Sequence, residues 1–227
     1  MTAAPDLRLA VFDCDGTLVD SQHSIIAAMA EAWRVHGLGA PDARAVRRIV
    51  GLPLEIGIAR LLPEGDEEDF ERLSRHYRAA AYELRQNQEY EEPLFPGAIE
   101  ALDALEAAGY LLGVATGKSR RGLDATLESH RLTGRFQTLQ TGDAAPGKPA
   151  PDMLLRAMAE TGAGPGTTAM IGDTSFDMLM AESAGAVAIG VSWGYHDEDE
   201  LRECGAERVL ADFGELPGTL NALIGGR

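Results

Sequence analysis

The sequence predicts an α/β protein: a doubly wound parallel sheet with an inserted all-helical domain. Two patterns carry that prediction. Short apolar runs alternate with helical stretches over most of the chain, the order that gives parallel strands covered on both faces. The alternation breaks once, between Val19 and Glu92, where no strand signal occurs. That stretch of roughly 70 residues exceeds the usual length of a single crossover. The 227-residue chain suits one large domain or one domain carrying an insertion. The expected division is a core at 1–18 and 93–227 and a helical insertion at 19–92.

The first strand is Leu7 to Asp13, an apolar run that ends in carboxylates and Gly16. The insertion follows. Ser21–His36 places Ile25, Met29 and Trp33 near helical spacing, and Pro41, Pro53 and Pro63 punctuate shorter helices. Asp66–Gln88 is acidic at its start and basic in its middle, as the helix macrodipole favours. The connections to the core are expected near Leu18–Ser21 and Glu91–Phe95. Pro96–Ala108 then opens a helix with proline in its first turn and closes it at Gly109. The later strands are expected at Tyr110–Gly117, Phe136–Asp143, Thr167–Asp173, Ala186–Val191 and Glu207–Leu210. The intervening helices are expected at Arg120–His130, Pro151–Thr161 and Ser175–Ala184.

Composition excludes several roles. A net charge of −16 disfavours nucleic acid and anionic membranes as partners. No run approaches the ~18 apolar residues of a membrane span, and Met1–Asp6 lacks a secretory pattern. Two cysteines, Cys14 and Cys204, make no disulfide framework, so a cytoplasmic location is expected.

In an open parallel sheet, ligands bind at the carboxyl ends of the strands. Here the strand ends carry Asp13-Cys14-Asp15-Gly16-Thr17, Thr116-Gly117-Lys118, Gly147-Lys148-Pro149 and Gly172-Asp173-x-x-x-Asp177. Asp13, Asp15 and Asp173 on neighbouring buried strands would repel one another. A divalent cation relieves that repulsion, and an all-oxygen set favours Mg²⁺. A lone aspartate after a strand is more simply a helix cap, the reading kept for Asp143 and Asp152. Lys118 stands at a helix N-terminus, where the dipole disfavours a cation unless an anion shares the site. It is otherwise a solvated surface charge.

Other motifs carry less. Gly113-x-x-x-Gly117-Lys118-Ser119 is one residue short of a phosphate-binding loop and follows the wrong strand. Gly190-Val191-Ser192-Trp193-Gly194 matches a nucleophile elbow, but only His196 follows it and no acid precedes that histidine in the required order. His36, His76 and His130 read as helix-surface residues. His23, beside the first connection, is a candidate to meet substrate.

These four strand ends, in this order, resemble the haloacid dehalogenase-like hydrolase superfamily, with its Rossmann-like core. The insertion resembles the cap of the subgroup holding phosphoglycolate phosphatases and β-phosphoglucomutases. Gly51-Leu52-Pro53-Leu54 and Thr116-Gly117-Lys118 are most similar to phosphoglycolate phosphatase. The resemblance implies Asp13 as nucleophile, forming an aspartyl-phosphate, and Asp15 as acid and then base. It implies Thr116, Gly117 and Lys148 as the phosphate-binding set. Mg²⁺ is implied on Asp13, Asp173 and the backbone carbonyl of Asp15, with Asp177 orienting Lys148 or a metal-bound water. The implied substrate is a small phosphorylated metabolite, 2-phosphoglycolate first, with a phosphosugar phosphatase or mutase as the alternative. A non-catalytic phosphoryl-binding protein is the reading from another class. Arg47, Arg48 and the residues around Gly51 are expected to face the site from the cap.

Overall fold

The computed structural model describes residues 7–86, 90–144 and 146–224. Among them, strands β1 (Arg8–Phe12), β2 (Tyr110–Thr116), β3 (Thr138–Thr141), β4 (Thr168–Gly172), β5 (Val187–Val191) and β6 (Arg208–Leu210) form one parallel sheet. The order is β3-β2-β1-β4-β5-β6, so successive strands run outward to one side and then resume on the other side of β1. The reversal leaves a crevice at the carboxyl ends of β1 and β4.

Alternation along β1 builds both faces. Ala10 and Phe12 point into a cluster with Leu102 and Leu105 of α5 (Ala98–Ala107), Leu123 of α6 (Arg120–Ser129) and Leu220 of α10 (Leu216–Ile224). Leu9 and Val11 point the other way, toward α7 (Asp152–Thr161), α8 (Ser175–Ala184) and α9 (Glu198–Glu203). A strand buried on both sides has no polar alternation, which is why these segments read as continuous apolar runs. Every expected strand is present, trimmed by one or two residues at its ends. The helices α9 and α10 had no counterpart in the sequence reading.

The segment between β1 and α5 is helical: α1 (Gln22–Val35), α2 (Ala43–Ile49), α3 (Leu54–Leu61) and α4 (Glu67–Gln86). The last two residues expected of the long helix, 87 and 88, lie outside the described residues. These helices have their own core, with Met29, Trp33, Val46, Ile58 and Leu73 buried. The connections to the sheet run side by side: Asp20 N–H donates to the Pro93 carbonyl at 2.8 Å and Phe95 N–H to that of Leu18 at 3.0 Å. Among the described residues no helix is long and apolar enough to cross a membrane.

Candidate active site

Asp13 follows β1 directly and is 1% exposed. Its Oδ1 accepts from the Cys14 N–H at 2.6 Å and lies 2.9 Å from the Lys148 ammonium. Its Oδ2 is buried and, among the described residues, has no hydrogen-bond partner. Burial pushes the Asp13 carboxyl up to about 7, opposed by Lys148 and reinforced by Asp177 and Asp15.

Lys148 is a fully buried cation, held by Asp13 and, at 2.6 Å, by Asp177 Oδ1. Burial disfavours its charge, but Asp13 and then Asp177 outweigh that and hold its pKa above the ordinary lysine range. Asp177 has a second duty. Its Oδ2 accepts from the Thr174 N–H at 3.1 Å and hydroxyl at 2.7 Å, forming the capping box of α8. Both its oxygens are therefore engaged, and its position follows from the helix start.

Asp173 follows β4 and is fully buried. It accepts from the Thr17 hydroxyl at 2.8 Å and the Tyr195 N–H at 2.9 Å. Burial first, then Asp13 and Asp177, raise its pKa well above the carboxylate range. The loop after β5 reaches it because Gly194 lacks a side chain: a Cβ there would stand 2.1 Å from the Asp173 Cβ. Gly16, at φ +85°, meets the same carboxylate from the other side.

Asp13, Asp173 and Asp177 each offer an oxygen within 4.8 Å of the others. Three buried carboxylates share one buried ammonium, and Asp13 Oδ2 is unpartnered. Such a site is short of positive charge, and its donors are hard oxygens, so the residues fit Mg²⁺. Asp13 offers an unpartnered oxygen and Asp173 accepts only from neutral donors, whereas Asp177 is committed to the Lys148 ammonium and to Thr174.

Asp15 is buried, but its side chain turns away from that cluster. Its Oδ1 accepts from the Ser21 hydroxyl and pairs with Lys118 at 2.7 Å. The pairing answers the question that Lys118 posed: the anion beside the start of α6 is Asp15. Thr116 is buried at the end of β2, and its hydroxyl accepts from the Lys118 N–H at 3.2 Å, leaving its own proton to donate elsewhere. Gly117 lies beneath the insertion's loop; a Cβ there would meet the Leu52 carbonyl at 3.2 Å.

A cavity of about 450 Å³ opens from Asp13, Asp15, Thr116 and Gly117 and runs between the sheet edge and the helices of the insertion. Ile49, Val50, Gly51, Leu52 and Leu54 line it, as the sequence suggested for this loop. Arg47 and Arg48 do not. Arg47 Nη1 donates to Gln22 at 3.4 Å, and Arg48 bridges to Glu200 of α9 at 2.5 Å. The rotation of α2 turns both away from the cavity. His23 is exposed and also lies outside the lining. Ser192 has no triad: the His196 ring faces Ser175 at 3.1 Å and Glu200 at 3.1 Å. Sequence reasoning missed the cavity's basic residues on α4 and α6, and the Ser21 and Lys118 support of Asp15. Ser21, close to the expected hinge, was the one signal available for the latter.

Comparison with known proteins identifies the family of the chain. Residues 10–191 match the family model described as haloacid dehalogenase-like hydrolase. The chain is 39% identical to "Probable phosphatase IndB" of Dickeya dadantii, over 95% of this chain and 94% of that protein. It is 33% identical to a phosphoglycolate phosphatase of Agrobacterium fabrum, over 97% and 95%. The crystal structure of a hydrolase from Pseudomonas syringae superposes with a TM-score of 0.84 at 29% identity, covering 95% of this chain and 99% of that one.

Proposed function

The chain belongs to the haloacid dehalogenase-like hydrolases and is a phosphatase, and from that premise we propose that it hydrolyses a small phosphorylated metabolite through an aspartyl-phosphate on Asp13, with Mg²⁺ as cofactor. The observation that carries the reading is the asymmetry of Asp13. One oxygen is fixed by Lys148 and Cys14, the other is buried without a partner among the described residues, and the residue lines the cavity.

A carboxylate nucleophile divides a difficult displacement into two easier ones. The contacts from Lys148 and the Cys14 N–H fix the orientation of that carboxylate before substrate arrives. The Thr116 hydroxyl and the Lys148 ammonium stabilise charge on the phosphoryl oxygens, and the backbone at Gly117 completes that set. Asp15 gives a proton to the leaving oxygen and then takes one from the attacking water. Ser21 and Lys118 hold it in place for both steps. Asp13, Asp173 and the Asp15 carbonyl would hold Mg²⁺, which when bound would supply positive charge to offset that of the transferred group. Asp177 keeps Lys148 in position.

Residues 19–92 act as a cap on the core formed by 1–18 and 93–227, and the cavity between them admits small molecules rather than polymers. The names of the relatives make 2-phosphoglycolate the first substrate to assay. The test is phosphate release from a nitrophenyl phosphate and a metabolite panel, with Mg²⁺ and with excess chelator. Turnover is expected only with the metal, and Asp13→Asn is expected to be inactive while its circular dichroism is unchanged. Full activity in chelator overturns the metal, and an active Asp13→Asn overturns the nucleophile.

A further inference from the structure

The cavity is larger, and lined by more arginines, than release of phosphate from a two-carbon acid requires. At about 450 Å³ it falls in the range that encloses drug-sized ligands, ~300–1,000 Å³. At a liquid-water share of about 30 Å³ each, it has room for roughly fifteen water-sized groups. Its middle is apolar, walled by Ile25 and Met29 of α1 and by Leu52 and Leu54 of the loop.

Another stretch of its wall is made by α4 and α6. Arg78, Arg85 and Arg121 line it, in a protein whose net charge is −16. Two of the lining cations are already neutralised: Arg78 pairs with Glu55 at 2.8 Å, and Lys118 with Asp15 at 2.7 Å. The lining carboxylate Asp143 is also occupied, accepting from the Arg120 N–H at 3.1 Å and the Thr141 hydroxyl at 2.6 Å. Arg85 and Arg121 are left. Among the described residues neither Arg85 nor Arg121 pairs with a lining carboxylate. Arg85 Nε is buried without a hydrogen-bond partner among them. Arg121 lies flat over the Tyr82 ring, 4.3 Å from its centroid, which orients its guanidinium without neutralising it. Tyr77 also lines the cavity; burial pushes its hydroxyl up to about 12, so it remains a neutral donor.

We propose that the alcohol part of the substrate is an apolar body longer than a two-carbon acid and ends in a carboxylate received by Arg85 and Arg121. This rests on the phosphatase reading, with the phosphoryl group at Asp13 and the acid at the two arginines. Guanidinium forks suit a planar carboxylate, and the buried Nε of Arg85 is a donor that no described residue takes up.

Matched substrates test it: 4-carboxybenzyl phosphate against benzyl phosphate, with 2-phosphoglycolate and 4-nitrophenyl phosphate alongside, all in Mg²⁺. A charge-assisted contact predicts a preference for the carboxylate of about 10–100-fold in kcat/KM, carried mainly by KM. In Arg85→Gln that ratio is expected to fall to near unity, and in Arg85→Lys to be partly restored. No preference in the wild type, or 2-phosphoglycolate outrunning 4-carboxybenzyl phosphate, overturns the proposal. A preference that survives in Arg85→Gln overturns the assignment of the acid end to Arg85. Should Arg85→Gln misfold, Arg121→Gln and the wild-type ratio decide. If none of the four esters is hydrolysed, the phosphatase reading itself fails, an outcome distinct from hydrolysis without carboxylate preference.

Discussion

Replacing Lys148 with methionine removes the one buried ammonium that lies between Asp13, at 2.9 Å, and Asp177, at 2.6 Å. The substitution is close in volume, so the loss is chiefly of charge. Breaking a buried pair by deleting one partner costs about 3–5 kcal/mol, because the remaining charge is stranded. For a chain of this size that corresponds to a fall in Tm of about 6–20 °C. The loss depends on pH with a definite sign. The folded-state pKa of Asp13 is already raised to about 7 with Lys148 present, against ~3.9 in the unfolded chain. Without Lys148 it rises further. A carboxyl with a raised folded pKa weakens the fold progressively as pH climbs above its unfolded value, and not at all below it. The deficit of Lys148→Met is therefore largest near pH 8 and shrinks toward pH 5. Urea denaturation of both proteins in chelator, at each pH, measures it; chelator removes metal as a competing counter-charge. Activity with an aryl phosphate is expected to fall about 10²–10³-fold, the usual cost of losing one charge-stabilising donor. A deficit under about 1 kcal/mol at pH 8, well short of the buried-pair range, or one that does not change with pH, would refute Lys148 as the compensating charge.

Two further outcomes are expected. Asp15→Asn slows alkyl phosphates more than aryl phosphates in the first step, by up to the ~10²–10⁴-fold of a lost general acid, because a phenolate leaves without help. With the aryl ester, rapid quench is expected to show a burst of phenol followed by slow turnover; equal losses for both esters and no burst would confine Asp15 to a structural role. Gly194→Ala forces the loop after β5 off Asp173 and is expected to weaken Mg²⁺ activation about 10–100-fold, whereas Gly39→Ala, with open space around its α-carbon, leaves activation unchanged. A Mg²⁺ titration of activity compares the two, and identical curves would show that the loop does not position Asp173.

The strands and the residues at their ends were legible in the chain because each is a local property. An apolar run followed by Asp13-x-Asp15-Gly16 or Gly172-Asp173 names its own strand and its own turn, and a parallel sheet sends all such ends to one rim. The same holds for Asp177, whose place one turn into α8 is set by the capping box with Thr174. The insertion was legible as helix, and the stretch around Gly51 as part of the cavity wall, but which of its arginines face that cavity was not. Helical periodicity says which face is apolar; it does not say how far α2 rotates or what stands opposite α4. Arg48 therefore turned to Glu200, a partner 152 residues away, and Arg47 to Gln22, while Arg85 and Arg121, unremarkable in sequence, came to line the cavity. Lys118 found Asp15 in the same way. Sequence by itself determined which carboxylates and cations gather at the sheet's rim, because they are fixed by backbone neighbours. Only the tertiary structure decided which cations line the cavity, because those pairings arise from packing between elements distant along the chain.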